Sequence, residues 1–403
     1  MTGRRLRWHR SAVAMFSRWS RQLLALVCGC ALALAAGEGL LYWQDWYPPP
    51  DNPPRCPYWD PAICALYERH PPYGYRLRPS IVAQYSYPRE HARRIALASN
   101  RHGFRASREL DEHDPRPRVV VLGDSLVLGE GVEEHERFTD VLESLERRWR
   151  VDNLGMTGWG PDLMLRALER VGVHLRPAVV VLVLYTDDFR RVHPSYAGMG
   201  FAVPRLALSA GRLVSIPYPE PSRWDGFRLY QAARLAVWSH SGAEWALNEA
   251  ILDRFRQLSG EHGFAPVLVF LPGRRDLPHD QARREWLRRY AERHATAFAD
   301  LTTPLHRPPH DRVFIRGNPH YSPDGHRIVA EALRGLLAQE LATWHARRLA
   351  AAGIDLRRAT GGGDREDRRA GAASQAAFGA AGLAATIWLR RRPESRCLAN
   401  GLR

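Results

Sequence analysis

Lysine is absent from this 403-residue sequence, so all 58 basic residues are arginine. With 43 acidic residues the formal net charge is +15, a value that by itself favours a nucleic-acid partner. The arginines are scattered, however, apart from concentrations at the two ends, and they lack the repeated basic and aromatic pattern of a nucleic-acid-binding surface. We therefore attribute the missing lysine to a compositional bias of the source and predict no nucleic-acid partner.

Cysteine is also scarce, with five residues in the chain. Cys28 and Cys30 lie in an apolar run and Cys397 lies near the end, which leaves Cys56 and Cys64 in the segment CPYWDPAIC. Neither has the further Cys or His neighbours of a zinc site, so no metal is predicted there. In an oxidising compartment Cys56 and Cys64 could close a small loop as a disulfide, and two unpaired thiols are the alternative.

Charged residues are missing from residues 23–37, and after Glu38 the apolar character resumes as far as Trp43. Six arginines precede this run, which is long enough to span a bilayer once it is extended through Trp43. The basic flank predicts a cytoplasmic segment at 1–21 and a transmembrane signal anchor at 22–43. We expect a single-pass protein of the bacterial inner membrane with its main domain on the extracytoplasmic, periplasmic side.

The same layout is shared by signal peptides, so cleavage after the stretch 33–35 is the alternative to an uncleaved anchor. A lipoprotein attachment at Cys30 is a weaker alternative, because a long apolar stretch follows that residue.

The rest of the chain divides by composition. Residues 44–115 are rich in proline and aromatic residues and are predicted to be an extracytoplasmic lead-in that is ordered by packing. From 116 to 345 short apolar runs alternate with amphipathic segments, which predicts a doubly wound, flavodoxin-like α/β/α sandwich with a mostly parallel sheet. Within it, residues 190–240 look irregular and are interpreted as an insertion. Residues 346–403 form a low-complexity tail that is predicted to be disordered, with a membrane-associated helix as the alternative.

Polar residues follow the apolar runs at several points where the sheet should end. Asp124 and Ser125 come directly after RVVVLG, and the loop NLGMTGWG, the segment YTDDF and the loop GNPHYSPDGH follow later in the chain. In an open parallel sheet, reactive groups gather beyond the carboxyl ends of the strands. A Ser hydroxyl needs an adjacent base to act as a nucleophile, and a His can be that base. Taken alone, Ser125 could also be a helix N-cap and Gly158 a simple turn residue.

These blocks, in this order, resemble the SGNH/GDSL hydrolase superfamily over roughly residues 70–345. The resemblance is carried by VLGDSLVLGEGV, VDNLGMTGWGPD and PHYSPDGHRIVAEAL. It implies that Ser125 is the nucleophile, that His320 is the general base, and that the backbone N–H groups of Ser125 and Gly158 form part of an oxyanion hole. His326 corresponds to a residue of the family that is not catalytic.

Two positions differ from the family pattern. Asp187 occupies the position of an Asn whose side-chain N–H completes the oxyanion hole, and an ionised carboxylate there would repel the oxyanion. Asn318 lies where the family has the acid that orients the catalytic His. Its carbonyl oxygen could accept a hydrogen bond from the imidazole, or its amide N–H could favour the wrong tautomer.

The resemblance implies a membrane-anchored, extracytoplasmic serine esterase or O-acyltransferase that needs no metal or cofactor. We expect it to act on O-acyl groups, with an acylated small molecule or a cell-envelope glycan as substrate. The expected partners are the lipid bilayer, through the N-terminal helix, and as a further candidate a membrane acyl-donor protein. The alternative is a catalytically weak or inactive protein of the same fold that serves in glycan binding or assembly.

Overall fold

The computed structural model describes residues 3–44, 61–87, 93–220 and 222–352, with side chains except at 3–18 and 310. The chain divides into two units, Met1–Ala332 and Leu333–Arg403. The sheet and all the site residues described below belong to the first unit. The predicted tail at 346–403 lies mostly outside the described residues, as does Cys56 of the predicted disulfide. The predicted domain boundaries stay predictions.

The strands and helices have the following bounds. The strands are β1 (Tyr67–His70), β2 (Gly74–Leu77), β3 (Val82–Tyr87), β4 (Arg93–Ala98), β5 (Arg118–Leu122), β6 (Arg150–Asn153), β7 (Val179–Tyr185), β8 (Arg205–Ser209), β9 (Arg212–Ile216), β10 (Ala265–Leu271) and β11 (Ala297–Asp300). The helices are α1 (Gly3–Trp43), α2 (Pro61–Ala65), α3 (Ser125–Leu128), α4 (Phe138–Leu145), α5 (Pro161–Arg170), α6 (Asp188–Arg191), α7 (Arg228–His240), α8 (Ala243–His262), α9 (Pro278–Arg293), α10 (Thr302–His306), α11 (His310–Val313) and α12 (Pro323–Ala351).

The centre of the fold is a five-stranded sheet with the order β11-β10-β7-β5-β6, in which every neighbouring pair is parallel. Numbered along the chain, these five strands have the order 2-1-3-4-5, which is the flavodoxin-like arrangement. The middle strands are continuous apolar runs because both faces of the sheet are covered, and β5 is buried along its whole length. The predicted fold class is confirmed.

This strand order fixes where a site can form. From β5 the chain runs to β6 on one side, and β7 lies on the other side, so the topological switch point lies at the carboxyl ends of β5 and β7. Crevices at such points are where open α/β sheets bind ligands. Ser125 follows β5 and Asp187 follows β7, so the topology places both near this point.

The lead-in contributes two antiparallel hairpins, β1–β2 and β3–β4. They pack on the loops that follow β5 and β6: the Tyr75 hydroxyl donates to the carbonyl oxygen of Thr157 at 2.7 Å, and the buried Arg105 guanidinium donates to the carbonyl oxygens of Gly129 and Val132. The lead-in therefore helps to hold the loops around Ser125.

Residues 190–240 contain more regular structure than the sequence analysis expects. They form the antiparallel hairpin β8–β9 and the 13-residue helix α7. The irregular interpretation is wrong for α7, whose sequence RLYQAARLAVWSH is rich in residues that favour helices, namely Ala, Leu, Arg and Gln.

Helix α1 runs without interruption through the predicted anchor. Its part Trp19–Trp43 is, among the described residues, the one stretch long and apolar enough to cross a membrane, with a mean hydropathy of 2.0. A signal sequence near the N-terminus would pass the same test.

Candidate active site

Ser125 is the first residue of the four-residue helix α3, directly after the buried strand β5. The helix is capped by Asp124, whose Oδ1 accepts the backbone N–H of Leu126 at 2.9 Å. The N-cap alternative for Ser125 is therefore wrong. The loop after β6 packs closely on this helix, because a Cβ at Gly155 would lie 2.5 Å from the backbone nitrogen of Leu128. A residue with a side chain would not fit at position 155. Because Asp124 caps the helix, the Ser125 side chain remains available for other contacts.

Behind Ser125, Arg191 joins the ends of β5 and β7. Its guanidinium donates to Asp124 Oδ2 at 2.8 Å and to Asp188 Oδ1. Burial, together with the nearby charge of Asp124, raises the pKa of Asp188 well above its ordinary value. The Arg191 guanidinium offsets the free-energy cost of burying these two carboxyl groups. The three residues therefore stabilise the turn that carries Ser125.

His320 reaches Ser125 from a loop 195 residues further along the chain. Its Nε2 lies 2.8 Å from Ser125 Oγ, a hydrogen-bond distance. The side chain of His320 is mostly shielded from solvent, and its loop is closed by a short bridge between Phe314 and Tyr321. A Ser hydroxyl and an imidazole at this distance are the pair that nucleophilic catalysis requires.

Asn318 contacts the other nitrogen of the same imidazole. Its Oδ1 lies 2.7 Å from His320 Nδ1 and accepts the backbone N–H of His320 at 2.9 Å. A backbone N–H can only donate, so the Asn318 atom that faces it is the oxygen and not the amide nitrogen. Nδ1 therefore carries the proton in neutral His320, and Nε2 is left to accept the proton of Ser125 Oγ. Of the two alternatives for Asn318, this geometry favours the carbonyl acceptor.

Tyr87, at the end of β3, fixes the remaining side of the Asn318 amide, and the sequence analysis misses it. The Asn318 amide nitrogen donates to the Tyr87 hydroxyl at 2.9 Å, and the same hydroxyl lies 3.1 Å from His320 Nδ1. Burial, followed by the charge of Glu130, raises the pKa of the Tyr87 hydroxyl, so it stays protonated. No sequence spacing links residue 87 with residue 318, and only the packing of the lead-in brings them together.

Glu130 is the second residue that the sequence analysis misses. Its carboxylate is almost completely buried, and Oε2 lies 3.8 Å from His320 Nε2. It also accepts a hydrogen bond from Thr157 Oγ1 at 3.1 Å, which in turn accepts one from the Tyr67 hydroxyl at 3.0 Å. The sequence signal is a single acidic residue in the otherwise apolar LVLGEGV. A carboxylate at this distance stabilises a protonated imidazole.

Several solved structures have a fold similar to that of this chain. A G-D-S-L family protein from Desulfitobacterium hafniense DCB-2 matches 54% of this chain and 98% of its own length, with 15% identity and a TM-score of 0.37. The psychrotrophic esterase EstA from Pseudoalteromonas sp. matches 57% and 98%, with 11% identity and a TM-score of 0.36. A GDSL-like lipase from Bacteroides thetaiotaomicron VPI-5482 matches 58% and 92%, with 13% identity and a TM-score of 0.32.

The first and the third of these are named as GDSL proteins, which is the family that the sequence blocks resemble. No protein-family model and no curated protein matches the chain. At such low identities and TM-scores the roles of individual residues have to rest on the contacts within this chain.

The predicted oxyanion-hole donors are Ser125 N–H and Gly158 N–H, and neither has a hydrogen-bond acceptor among the described residues. Gly158 has φ of +72°, and a Cβ there would lie 3.1 Å from the Tyr75 hydroxyl and 3.2 Å from that of Tyr196. Glycine is therefore required at this position for its backbone conformation.

Asp187 precedes α6, where its backbone carbonyl accepts the N–H groups of Arg190 and Arg191. Its side chain is exposed and makes no hydrogen bond within the described part of the chain. The structure thus joins Ser125, His320 and Asn318 by direct hydrogen bonds, while Gly158 and Asp187 make none to these three. Their oxyanion roles stay predictions.

His326 lies in α12 and is buried. Its Nδ1 accepts the backbone N–H of Phe138 at 3.3 Å, and its ring stacks on the Phe138 ring. Burial lowers the pKa of His326 to about 3. It is therefore a neutral packing residue, as the resemblance implies.

No group of three or more His, Cys, Asp or Glu side chains in the described ranges is arranged to hold a metal ion. Cys64 is disulfide-bonded, but its predicted partner Cys56 lies outside the described residues, so this pairing stays a prediction. Cys28 and Cys30 are free thiols on the exposed surface of α1.

Proposed function

We propose that this protein is an SGNH/GDSL-type serine hydrolase of ester bonds, with Ser125 as nucleophile and His320 as general base. The observation that carries the proposal is the pair of hydrogen bonds on opposite sides of the His320 ring, to Ser125 Oγ and to Asn318 Oδ1. These two bonds place a proton on Nδ1 and leave Nε2 to accept the proton of Ser125 Oγ, which is the arrangement that acyl transfer requires.

In the proposed reaction, Ser125 Oγ attacks the ester carbonyl carbon while its proton moves to His320 Nε2. The negative charge that develops on the carbonyl oxygen is stabilised by the N–H groups of Ser125 and Gly158. The C–O bond to the alcohol then breaks, the proton moves from Nε2 to the departing oxygen, and an acyl-serine remains. Asn318 holds the ring, and the carboxylate of Glu130 favours the imidazolium that exists between the two proton transfers.

The second half of the reaction uses the same groups. His320 Nε2 takes a proton from water or from an acceptor hydroxyl, whose oxygen attacks the acyl carbon. The bond from that carbon to Ser125 Oγ then breaks, and the proton passes from Nε2 to Oγ, which regenerates Ser125. Hydrolysis and O-acyl transfer differ only in this acceptor. We include transfer to glycan hydroxyls in the proposal because α1 contains a candidate span, which would place the domain beside the cell envelope.

A chemical probe tests the catalytic part of this proposal. The full chain, purified in detergent, is incubated with a fluorophosphonate probe and assayed with p-nitrophenyl acetate. We expect labelling and turnover that are both lost in Ser125→Ala and retained in Ser144→Ala, an exposed serine on α4 whose hydroxyl bonds only its own helix. A folded protein that is neither labelled nor active would contradict the proposal.

The second candidate function, glycan binding without catalysis, is favoured by one observation. Asp187 places an exposed carboxylate at the position of the family Asn. If the probe leaves Ser125 unlabelled while the protein still binds acylated or free envelope glycan in a pull-down assay, this function replaces the first.

Localisation is tested with reporters. A periplasm-dependent alkaline phosphatase fused after residue 350 should be active, and a cytoplasm-dependent reporter at the same position should be inactive. The opposite pattern would contradict the proposed extracytoplasmic domain.

A further inference from the structure

Glu38, near the end of α1, caps a helix that is distant in sequence. Its two carboxylate oxygens accept the backbone N–H groups of Arg228 and Leu229, both at 2.8 Å. These are the first two residues of α7, and the preceding residue Phe227 makes no side-chain cap of its own. Free N–H groups at a helix start attract an acceptor and a negative charge, and Glu38 supplies both.

Three further contacts fix α7 to the end of α1. The Arg228 guanidinium donates to the carbonyl oxygen of Leu41 at 2.9 Å and lies 3.9 Å from the centre of the Tyr42 ring. Leu229 packs so close to Gly37 that a Cβ at residue 37 would lie 3.6 Å from a Leu229 methyl group. The start of α7 therefore lies at the level of residues 37–42.

That level corresponds to the membrane surface if α1 spans a bilayer. The stretch Trp19–Trp43 has 25 residues. At the helical rise of 1.5 Å per residue it is roughly 37 Å long, which exceeds the ~30 Å of a hydrocarbon core. Its last turns, which hold α7, would then lie in the headgroup region.

The outward face of α7 suits this position. From Phe227 to Val237 the exposed residues are Phe227, Tyr230, Ala233, Ala236 and Val237, and none of them is charged. They follow one another at intervals of three, three, three and one residues, so that they cover about half of the helix surface, and Val237 is 70% exposed. An amphipathic helix with aromatic and aliphatic residues outward is the kind of element that lies in a membrane interface.

The other side of α7 packs on the protein. Arg234 donates to Asp225 Oδ1 at 2.8 Å and to Ser195 Oγ at 2.9 Å, and Trp238 packs edge-on against His193. The inward side of α7 thus carries Arg228 and Gln231 together with Trp238, while its outward side carries no charged residue between Phe227 and Val237.

We propose that the outward face of α7, defined by Phe227, Tyr230, Ala233, Ala236 and Val237, is a second membrane-contact surface. Trp224 continues it, since it is exposed just before the helix with Arg223 stacked on its ring. The occupant is the lipid bilayer that α1 enters, and Glu38 sets the depth of α7 by holding its first turn. This inference rests on the proposed membrane anchoring by α1.

Photo-crosslinking of the full chain tests it. The chain is placed in nanodiscs of phosphatidylethanolamine and phosphatidylglycerol with p-benzoylphenylalanine replacing Val237, and separately Val82 as a matched control. Val82 is a valine that is 90% exposed at the start of β3. After irradiation, mass spectrometry should find phospholipid adducts at position 237 and none at position 82. Adducts at neither position, adducts at both, or crosslinks from 237 to a second copy of the chain would overturn the proposal.

Resistance to alkaline carbonate extraction distinguishes the proposed anchoring by α1 from the proposed membrane contact of α7. A chain that carbonate releases from membranes lacks the anchor, and the proposed anchoring fails. A chain that resists extraction but forms no lipid adduct at 237 keeps the anchor and refutes only the role of α7.

Glu38→Leu tests how α7 is held. This variant keeps the span apolar and removes the cap, so carbonate resistance should remain while the adduct yield at 237 falls several-fold. An unchanged yield would refute the positioning role of Glu38.

Discussion

The side-chain oxygen of Asn318 accepts two hydrogen bonds from a single residue, His320, one from its backbone N–H at 2.9 Å and one from its ring Nδ1 at 2.7 Å. The first bond fixes the orientation of the amide, because the backbone donor cannot reverse its role. The second then fixes the imidazole tautomer. An amide can therefore do part of the work of the usual carboxylate, although it adds no negative charge to stabilise the imidazolium.

Substitutions of Asn318 should separate orientation from charge. Asn318→Leu removes both hydrogen bonds, and we expect kcat/KM for p-nitrophenyl acetate to fall at least ~100-fold, since serine hydrolases with a misoriented His lose activity on this scale or more. Asn318→Asp should raise kcat/KM and move its acidic limb to higher pH, because a carboxylate raises the pKa of the imidazole. The pH profile of kcat/KM is the measurement. Activity that survives in Asn318→Leu would exclude the orienting role.

Tyr87 should act as a positioning residue. Tyr87→Phe leaves the ring in place and removes the hydroxyl that contacts both the Asn318 amide and His320 Nδ1, so we expect kcat to fall about 10-fold with little change in KM, because the amide and the imidazole are then held less firmly. Tyr85→Phe is the matched control, because Tyr85 lies on the same strand and its hydroxyl accepts the N–H of Gly131, without contact to His320. Equal losses in both variants would indicate a general effect on the fold.

The fold and the proximity of Ser125 and His320 could be predicted from the sequence because each has a local signal. Strands β5 and β7 are short continuous apolar runs, which is the pattern of strands buried in a parallel sheet. Ser125 and His320 lie in sequence blocks that resemble one family. The parallel topology places the carboxyl ends of the strands at one edge of the sheet, where these blocks follow.

Tyr87 and the orientation of the Asn318 amide have no such signal. Tyr87 is 231 residues from Asn318, and it reaches the site only because the hairpin β3–β4 packs there. The orientation of the Asn318 amide depends on the local turn at 318–320, which residue types do not specify. Helix α7 differs for another reason: apolar residues lie on both of its sides, since Trp238 packs inward and Val237 is exposed, so its pattern does not resemble that of a helix packed on a sheet.

Asp187→Asn should test whether position 187 belongs to the oxyanion hole. The variant replaces a carboxylate by a group that can donate an N–H, and we expect kcat to increase about 10-fold or more, since one oxyanion donor typically contributes ~3–4 kcal/mol in related sites. Asp187→Ala removes the charge without adding a donor and should give a smaller gain. Steady-state kcat values of the two variants distinguish the effect of an added N–H donor from the effect of removing the charge. If neither differs from the unmodified protein, residue 187 does not face the reacting carbonyl.

Buried histidine should make the fold acid-sensitive. Burial lowers the pKa of His326 to about 3 from its ordinary value of 6.5, so between these values the unfolded chain binds a proton that the folded chain does not. Stability therefore falls as pH falls below 6.5, by up to about 1.4 kcal/mol per pH unit for this residue. His193, with a pKa lowered to about 4 by burial, adds to the effect. Melting temperatures measured from pH 7.5 to 5 should decline less in His326→Gln than in the unmodified protein, and the exposed His135→Gln should not change the decline. An identical decline in His326→Gln and the unmodified protein would show that His326 is not held neutral by the fold.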